Sequence, residues 1–364
     1  MGSGIHKRTP FRTGTDNALT DIAGLLVGHH THPEAASGVT VVVAPQGAVG
    51  AVDVRGAAPG TRETDLLQPV NLVEHVQAVV LAGGSVYGLS VADGVVRWLA
   101  EKGWGFPLTG GRVAPIVPAA VLFDLGRGAD FIPPVSAEWG RLACEAALAN
   151  EAVTDAPPAE GCVGVGTGAR CGALKGGLGT ASQRLASGIA VAALAAVNAF
   201  GSAVDPASGA LWEARLVAGS ELDRLARRRV VLPPPVTPAA GHNTTLAVVG
   251  TDAVLNKSQA LKVAQMAHDG LARALRPAHT MFDGDTVFCL ATGAKALPRT
   301  PGFFSGATAQ ALSEVGQAAA DCLGRAIVRG VLTAVSMAGL TAFADLPQRP
   351  PADRDDPSAA LTSS

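Results

Sequence analysis

Gly241-His242-Asn243-Thr244-Thr245 stands at the junction of two unlike segments. Before it runs Leu232-Pro-Pro-Pro-Val-Thr-Pro-Ala-Ala240, whose prolines exclude a central strand or a helix interior. After it runs Leu246-Ala-Val-Val-Gly-Thr251, short, apolar and bounded, which reads as a buried strand. A threonine therefore lies where a loop enters a core strand. Its hydroxyl is a weak nucleophile and needs a base beside it. An N-terminal threonine carries that base itself, because a free α-amine has an ordinary pKa of about 7.7–8.0. Within an intact chain the same nitrogen is an amide, so cleavage between Asn243 and Thr244 would create the base. Asn-Thr-Thr before a strand is also ordinary loop chemistry, and the pentapeptide needs support from elsewhere.

Three further stretches carry candidate chemistry. Phe282-Asp283-Gly284-Asp285-Thr286 precedes the apolar run Val287-Phe-Cys-Leu-Ala291. On extended backbone Asp283 and Asp285 point to one side, where they could orient a hydroxyl and a nearby ammonium; Asp-Gly equally favours a turn. Ile189-Ala-Val-Ala-Ala-Leu-Ala-Ala-Val-Asn198 ends an apolar run in an amide. That amide can donate to an oxyanion or form a turn before Gly201. Gly161-Cys-Val-Gly-Val-Gly-Thr-Gly168 is only superficially a dinucleotide fingerprint, because the third glycine is replaced by Ala169 and no helix starts there. What remains is a glycine-rich loop carrying Lys175, which on its own reads as a solvated lysine.

Taken together these motifs resemble the DmpA-type aminopeptidase family, which includes L-aminopeptidase/D-amidase-esterases, β-aminopeptidases and nylon-oligomer hydrolases. The resemblance rests on Gly-x-Asn-Thr-Thr followed by Asp-Gly-Asp-Thr-x-Phe. It extends to Asp53-Val-Arg-Gly56, Pro59-Gly-Thr-Arg-Glu-Thr-Asp65, Leu81-Ala-Gly-Gly-Ser-Val-Tyr-Gly-Leu89, Gly164-Val-Gly-Thr-Gly168 and Lys175-Gly-Gly-Leu-Gly-Thr180, and spans roughly residues 15–345. It implies an α+β fold, a four-layer αββα sandwich layered like the N-terminal-nucleophile hydrolases. It further implies self-cleavage at Asn243/Thr244 into an α chain, 1–243, and a β chain, 244–364, which together form one domain.

By the same resemblance Thr244 is the nucleophile, Lys175 hydrogen-bonds its hydroxyl, and Asn198 serves the oxyanion. Asp283 and Asp285 position the lysine, the new ammonium and the hydroxyl. Tyr87 lines the substrate site. Phe123 stands where many relatives have a tyrosine, which removes a hydroxyl and favours apolar substrate arms. No metal or cofactor is implied. The implied substrate is a small peptide, an amino-acid amide or a 6-aminohexanoate oligomer, and the implied assembly is a homotetramer of αβ units. Two alternatives remain. A same-fold acetyltransferase of the ornithine acetyltransferase type is disfavoured by the lack of a Lys-Gly-Ala-Gly-Met run. A non-catalytic metabolite-binding relative is disfavoured by the five matching site positions.

Bulk properties narrow the setting. The 364 residues carry a net charge of −2, which predicts no broad basic surface for nucleic acid. No apolar run is long enough to span a membrane, and the N-terminus lacks an apolar signal core. Five cysteines without C-x-x-C spacing fit a reduced, cytoplasmic setting. His29, His30 and His32 have no cysteine nearby and fit no helix face, so they read as no metal site. The runs 38–44 and 49–54, joined by Pro45-Gln-Gly47, predict a hairpin. Residues 119–124 read as a strand reaching a polar tip at Asp124. Helical spacing covers 85–101, 137–149, 257–275 with Asn256 as cap, and 308–332. The tail from 345 onward has a disordered composition.

Overall fold

The computed structural model describes residues 13–151, 159–234, 243–299 and 308–350. Gly241, His242 and the tail beyond 350 lie outside them, while residues 345–350 of the tail expected to be disordered are placed, with Gln348 bridging Val230. Among the described residues nine strands form the main sheet: β1 Leu26–His32, β2 Ser37–Val54, β3 Gly60–Arg62, β4 His75–Ala82, β5 Ala119–Val121, β6 Leu178–Arg184, β7 Ala190–Asn198, β8 Thr244–Ala253 and β9 Thr286–Lys295. Four long helices accompany them: α1 Val91–Glu101, α2 Ala137–Glu151, α3 Lys257–Ala274 and α4 Ala309–Leu332. The strand path is β6-β7-β8-β9-β2-β4-β5-β3, with β1 on the free side of β2. All pairs are antiparallel except β8/β9 and β4/β5.

The side chains divide this sheet into two leaves. Along β7, Val191, Ala193, Ala195 and Val197 face one apolar cluster with α3 and α4, while Ala190, Ala192, Leu194 and Ala196 face another. That period of two, with both faces buried, is why the strand reads as an unbroken apolar run. The second cluster also holds Leu246, Val248, Phe288 and Leu290 together with Val42, Val79, Leu81 and Ala120, so it is the layer between the leaves. A third cluster joins Val39, Val41, Val43, Ala78 and Val80 to Val91, Val95, Trp98 and Trp139 of α1 and α2. The order is helix, sheet, sheet, helix: an αββα sandwich.

One strand belongs to both leaves, and here the sequence expectation fails. Residues 37–54 form a single 18-residue strand, not a hairpin. Residues 39–43 pair with β4 and residues 49–54 with β9, and the register slips between Val43 and Ala48. Pro45-Gln46-Gly47 is thus a bulge, with Gly47 at φ 77°. A bulge bends the strand without reversing it, which carries β2 from one leaf to the other. Two other expectations shift. Residues 85–90 form a 3-10 turn and α1 begins only at Val91. The strand expected over 119–124 stops at Val121, and Asp124 beyond it is buried.

The helices over 257–274 and 309–332 match the spacing closely. The carboxamide of Asn256 accepts the Gln259 N–H as expected of a cap. Since β8 and β9 run parallel, α3 is the crossover between them. No helix among the described residues is long and apolar enough to cross a membrane. Phe288 is fully buried between the leaves. Phe288→Ala is expected to lower the unfolding free energy by about 3–5 kcal/mol, measured by urea denaturation followed by circular dichroism.

Candidate active site

Thr244 is the first residue of β8 and lies directly opposite Asn198, the last residue of β7. By alternation both side chains share the inner face with Leu246 and Ala196, so they meet at one end of the gap between the leaves. Asn243 and Thr244 are both buried. The Thr244 hydroxyl donates to the carbonyl oxygen of Asn243 at 2.5 Å. The same oxygen accepts the Gly284 N–H at 3.1 Å. A Cβ at position 284 would stand 2.7 Å from Thr244 Oγ1 and 2.7 Å from the Ala58 carbonyl oxygen, so close approach requires glycine there.

The two acids brace this junction through backbone. Asp283 Oδ1 accepts the Phe200 N–H at 3.0 Å, and its Oδ2 accepts the Thr280 N–H at 3.0 Å and hydroxyl at 2.6 Å. Asp285 Oδ1 accepts the Thr245 N–H at 2.8 Å. Its Oδ2 accepts both the backbone N–H and Nδ1 of His279 at 2.9 Å. Neither carboxylate bonds the Thr244 hydroxyl. Residues 280–283 turn, and from Asp283 the chain runs in parallel register with 243–246 into β9, which starts at Thr286. Burial, and then the charge of Asp285, push the Asp283 carboxyl above its ordinary range. The 53–58 stretch lies alongside: Arg55 N donates to the Asp285 carbonyl at 3.0 Å and Ala58 N to the Asp283 carbonyl at 2.9 Å. Behind it the His268 ring meets His279 edge-on at 4.8 Å and donates from Nε2 to the Asp53 carbonyl at 3.1 Å.

The opposite wall comes from the glycine loop and the segment after β5. Asn198 Nδ2 donates to the Phe123 carbonyl at 3.1 Å. Its Oδ1 accepts Arg127 Nη1 at 2.8 Å and the Arg170 N–H at 3.0 Å. Arg127 also donates to the Gly168 carbonyl. Desolvation lowers the Arg127 guanidinium to about 10, while the charge of Asp124 opposes that shift. Asp124 accepts from Ser37 Oγ at 2.7 Å and Gly84 N at 2.6 Å. Arg170 Nη2 reaches Asn243 Oδ1 at 3.3 Å.

Lys175 is fully buried, not a solvated loop lysine. Its ammonium donates to the carbonyls of Gly166 (3.1 Å), Ala169 (2.9 Å) and Gly176 (2.6 Å). Those three bonds use its three protons, and none goes to Thr244. Desolvation lowers its pKa to about 8. Tyr87 is exposed on the 3-10 turn, and Phe123 enters the wall through its carbonyl. His29 Nδ1 sits 3.0 Å from Thr40 Oγ1, and His30 and His32 pack on Trp139, so these three serve the helix–sheet contact.

The structure thus gathers Thr244, Asn243, Asn198, Asp283 and Asp285 in one place, with Lys175 holding the adjoining loop. Arg127, Arg170 and His279 join them without having been singled out from sequence, and so does Asp124, which the sequence marks only as the polar end of a strand. A signal existed for the arginines: Arg127 stands between Gly126 and Gly128, and Arg170 lies within the glycine loop. Charged residues flanked by glycines are candidates for close backbone approach.

Residues 17–343 match the model of Peptidase family S58. An uncharacterised aminopeptidase of Mycobacterium tuberculosis is 49% identical over 345 residues, covering 91% of this chain and 98% of its own length. A 6-aminohexanoate-oligomer endohydrolase of Kocuria sp. is 29% identical over 90% of both chains. Among solved structures, a Burkholderia sp. β-aminopeptidase superposes with a TM-score of 0.66 at 25% identity, covering 91% of each chain. The L-aminopeptidase D-Ala-esterase/amidase of Ochrobactrum anthropi, described as a variant of the Ntn hydrolase fold, gives 0.67 at 21% identity over 93% of this chain and 92% of its own.

The site has a pH signature. Burial lowers the His268 imidazole from 6.5 to about 4. Between those values the unfolded chain binds a proton that the folded chain refuses. The stability it contributes is complete above about pH 6.5 and lost as pH falls toward 4, about 3 kcal/mol in all. His268→Gln is expected to flatten that part of the stability curve in urea titrations at pH 7 and pH 4.5. His29, also lowered to about 4 by burial, keeps its own contribution in the variant.

Proposed function

The chain belongs to peptidase family S58, and on that premise we propose that it is a self-processing amide hydrolase with an N-terminal threonine nucleophile. One observation carries the reading: the buried Asn243 carbonyl oxygen holds the Thr244 hydroxyl and the Gly284 N–H together. In the precursor, Thr244 Oγ1 attacks the Asn243 carbonyl carbon. Negative charge gathers on an oxygen that already has a backbone donor in place. The Oγ1 proton passes to the threonine nitrogen, the C–N bond breaks to release that nitrogen as the amine, and an ester joins Asn243 to Thr244 Oγ1. Water opens the ester. The products are an α chain, 1–243, and a β chain, 244–364, with a free Thr244 amine.

In turnover that amine takes the Oγ1 proton as the oxygen attacks a substrate amide. The leaving amine takes the proton, and water hydrolyses the acyl-enzyme. Gly284 N–H and the second N–H of Asn198 Nδ2 serve the oxyanion. Asp283 and Asp285 hold the start of β8 and place negative charge beside the new ammonium. Lys175 acts as a positioning residue, because it ties Gly166, Ala169 and Gly176 into the loop that carries Arg170. The relatives' names support amino-terminal peptide bonds or 6-aminohexanoate oligomers as the substrate class, and amino-acid amides belong to the same proposal. Assembly of αβ units into a homotetramer belongs to the same proposal.

Intact-mass spectrometry under denaturing conditions tests the first step. Chains of about 24 and 12 kDa are expected, in proportion to the 243 and 121 residues on either side of the cut in a 36.5 kDa chain. Thr244→Ala is expected to remain uncut and to lose amide hydrolysis by about 10³-fold or more. Hydrolysis retained by that variant would sink the scheme.

A further inference from the structure

The Asn243–Thr244 peptide is the amide that the intact chain presents to its own nucleophile. Asn243 therefore stands where the acyl-side residue of a substrate stands in the mature enzyme, and its surroundings describe that subsite. Asn243 Oδ1 accepts Arg170 Nη2 at 3.3 Å. Arg170 Nε is buried and has no partner among the described residues, and the same is true of Asn243 Nδ2. Both of these orphans are donors. No carboxylate among the described residues pairs with Arg170.

Three other arginines in this chain show what that edge of a guanidinium takes when fully used. Arg215 places Nε and Nη2 on Glu213 at 2.8 and 3.3 Å. Arg227 places them on Asp223 at 2.7 and 3.1 Å, and Arg329 on Glu160 at 2.9 and 2.7 Å. Arg170 offers the same edge with a carboxamide oxygen on one tine and nothing on the other. A carboxylate differs from the carboxamide by an oxygen in place of the NH2 group. Set in the place of the Asn243 side chain, it removes one buried orphan donor and supplies an acceptor for the other. Arg170 is fixed for this task, because its own N–H donates to Asn198 Oδ1 at 3.0 Å. Arg127, the neighbouring guanidinium, is already occupied by Asn198 and Gly168.

We propose that Arg170 is the specificity-determining residue of the acyl-side subsite, and that the mature enzyme prefers amides of L-aspartate over those of small neutral residues. This rests on the hydrolase reading above. The bond broken is the aspartyl C–N bond. Thr244 Oγ1 forms an ester with the aspartyl α-carbonyl, the leaving amine takes the proton, and water releases L-aspartate.

The p-nitroanilides of L-aspartate, L-asparagine and L-alanine test it on the processed protein and its Arg170→Met and Arg170→Lys variants. The aspartyl substrate is expected to exceed the alanyl one in kcat/KM by about tenfold or more. That ratio should collapse toward one in Arg170→Met and be partly kept in Arg170→Lys, which retains charge without the fork. The ratio is taken within each protein, so a smaller folded fraction cancels. A wild-type ratio at or below one, or a ratio unchanged in Arg170→Met, overturns the assignment and leaves the hydrolase reading standing. Calorimetric titration with L-aspartate and L-alanine reads the same preference without turnover. Arg170-dependent aspartate binding by a protein that hydrolyses no amide keeps the recognition and overturns the hydrolase reading.

Discussion

The carbonyl oxygen of Asn243 is buried at the start of a core strand, where water cannot supply its hydrogen bonds. A buried backbone acceptor must be satisfied from within the protein, and here the donors are the Thr244 hydroxyl and the Gly284 N–H. Much of the surrounding structure secures that meeting. Gly284 reaches the oxygen because β8 and β9 run parallel as neighbours, which places the chain leading into β9 beside the chain leading into β8. It can approach only as glycine. Asp285 pins the start of β8 by accepting the Thr245 N–H, Asp283 ties the same turn to the segment after β7 through the Phe200 N–H, and the 53–58 stretch closes over both.

A second constraint is charge in a place without solvent. Lys175, Asp124, Asp283 and Asp285 are buried. A buried charge is tolerated only when its hydrogen bonds are made. Lys175 meets that condition with three carbonyls, and Asp124 with a hydroxyl and a backbone N–H. The glycine-rich composition of 161–179 follows from this. Carbonyls can converge on an ammonium only where no side chains stand between, and a Cβ on Gly176 would lie 1.9 Å from the Val197 carbonyl oxygen. Arg170 differs from these four: its side chain is half-buried, and its buried Nε has no partner among the described residues.

The two leaves are tied by β2, and the bulge at Pro45-Gln46-Gly47 decides how the site is assembled. Its first half carries β4 and the segments that supply Asp124 and Arg127, and its second half carries β9 and the Asp-Gly-Asp turn. Had these residues reversed the chain, as their composition suggests, the two walls would not share a strand. Proline, a polar residue and glycine suit a bulge and a turn equally well, and only the pairing partners on either side distinguish them.

By itself the sequence determined the local matters: alternating or continuous apolar runs for β7, β8 and β9, the capped helix after Asn256, and the threonine at the mouth of a buried strand. These are set by spacing and by neighbouring residues, so they survive without knowledge of the fold. The recurring motifs were enough to place the chain in its family and layered architecture. Only the tertiary structure decided which groups meet. It set Lys175 on three carbonyls instead of the threonine hydroxyl, turned Asp283 and Asp285 into backbone braces, and brought Arg127, Arg170 and His279 to the site. Each of those contacts joins residues from separate segments or depends on the path of a loop, and the burial that makes an unpaired donor costly exists only once the leaves have closed.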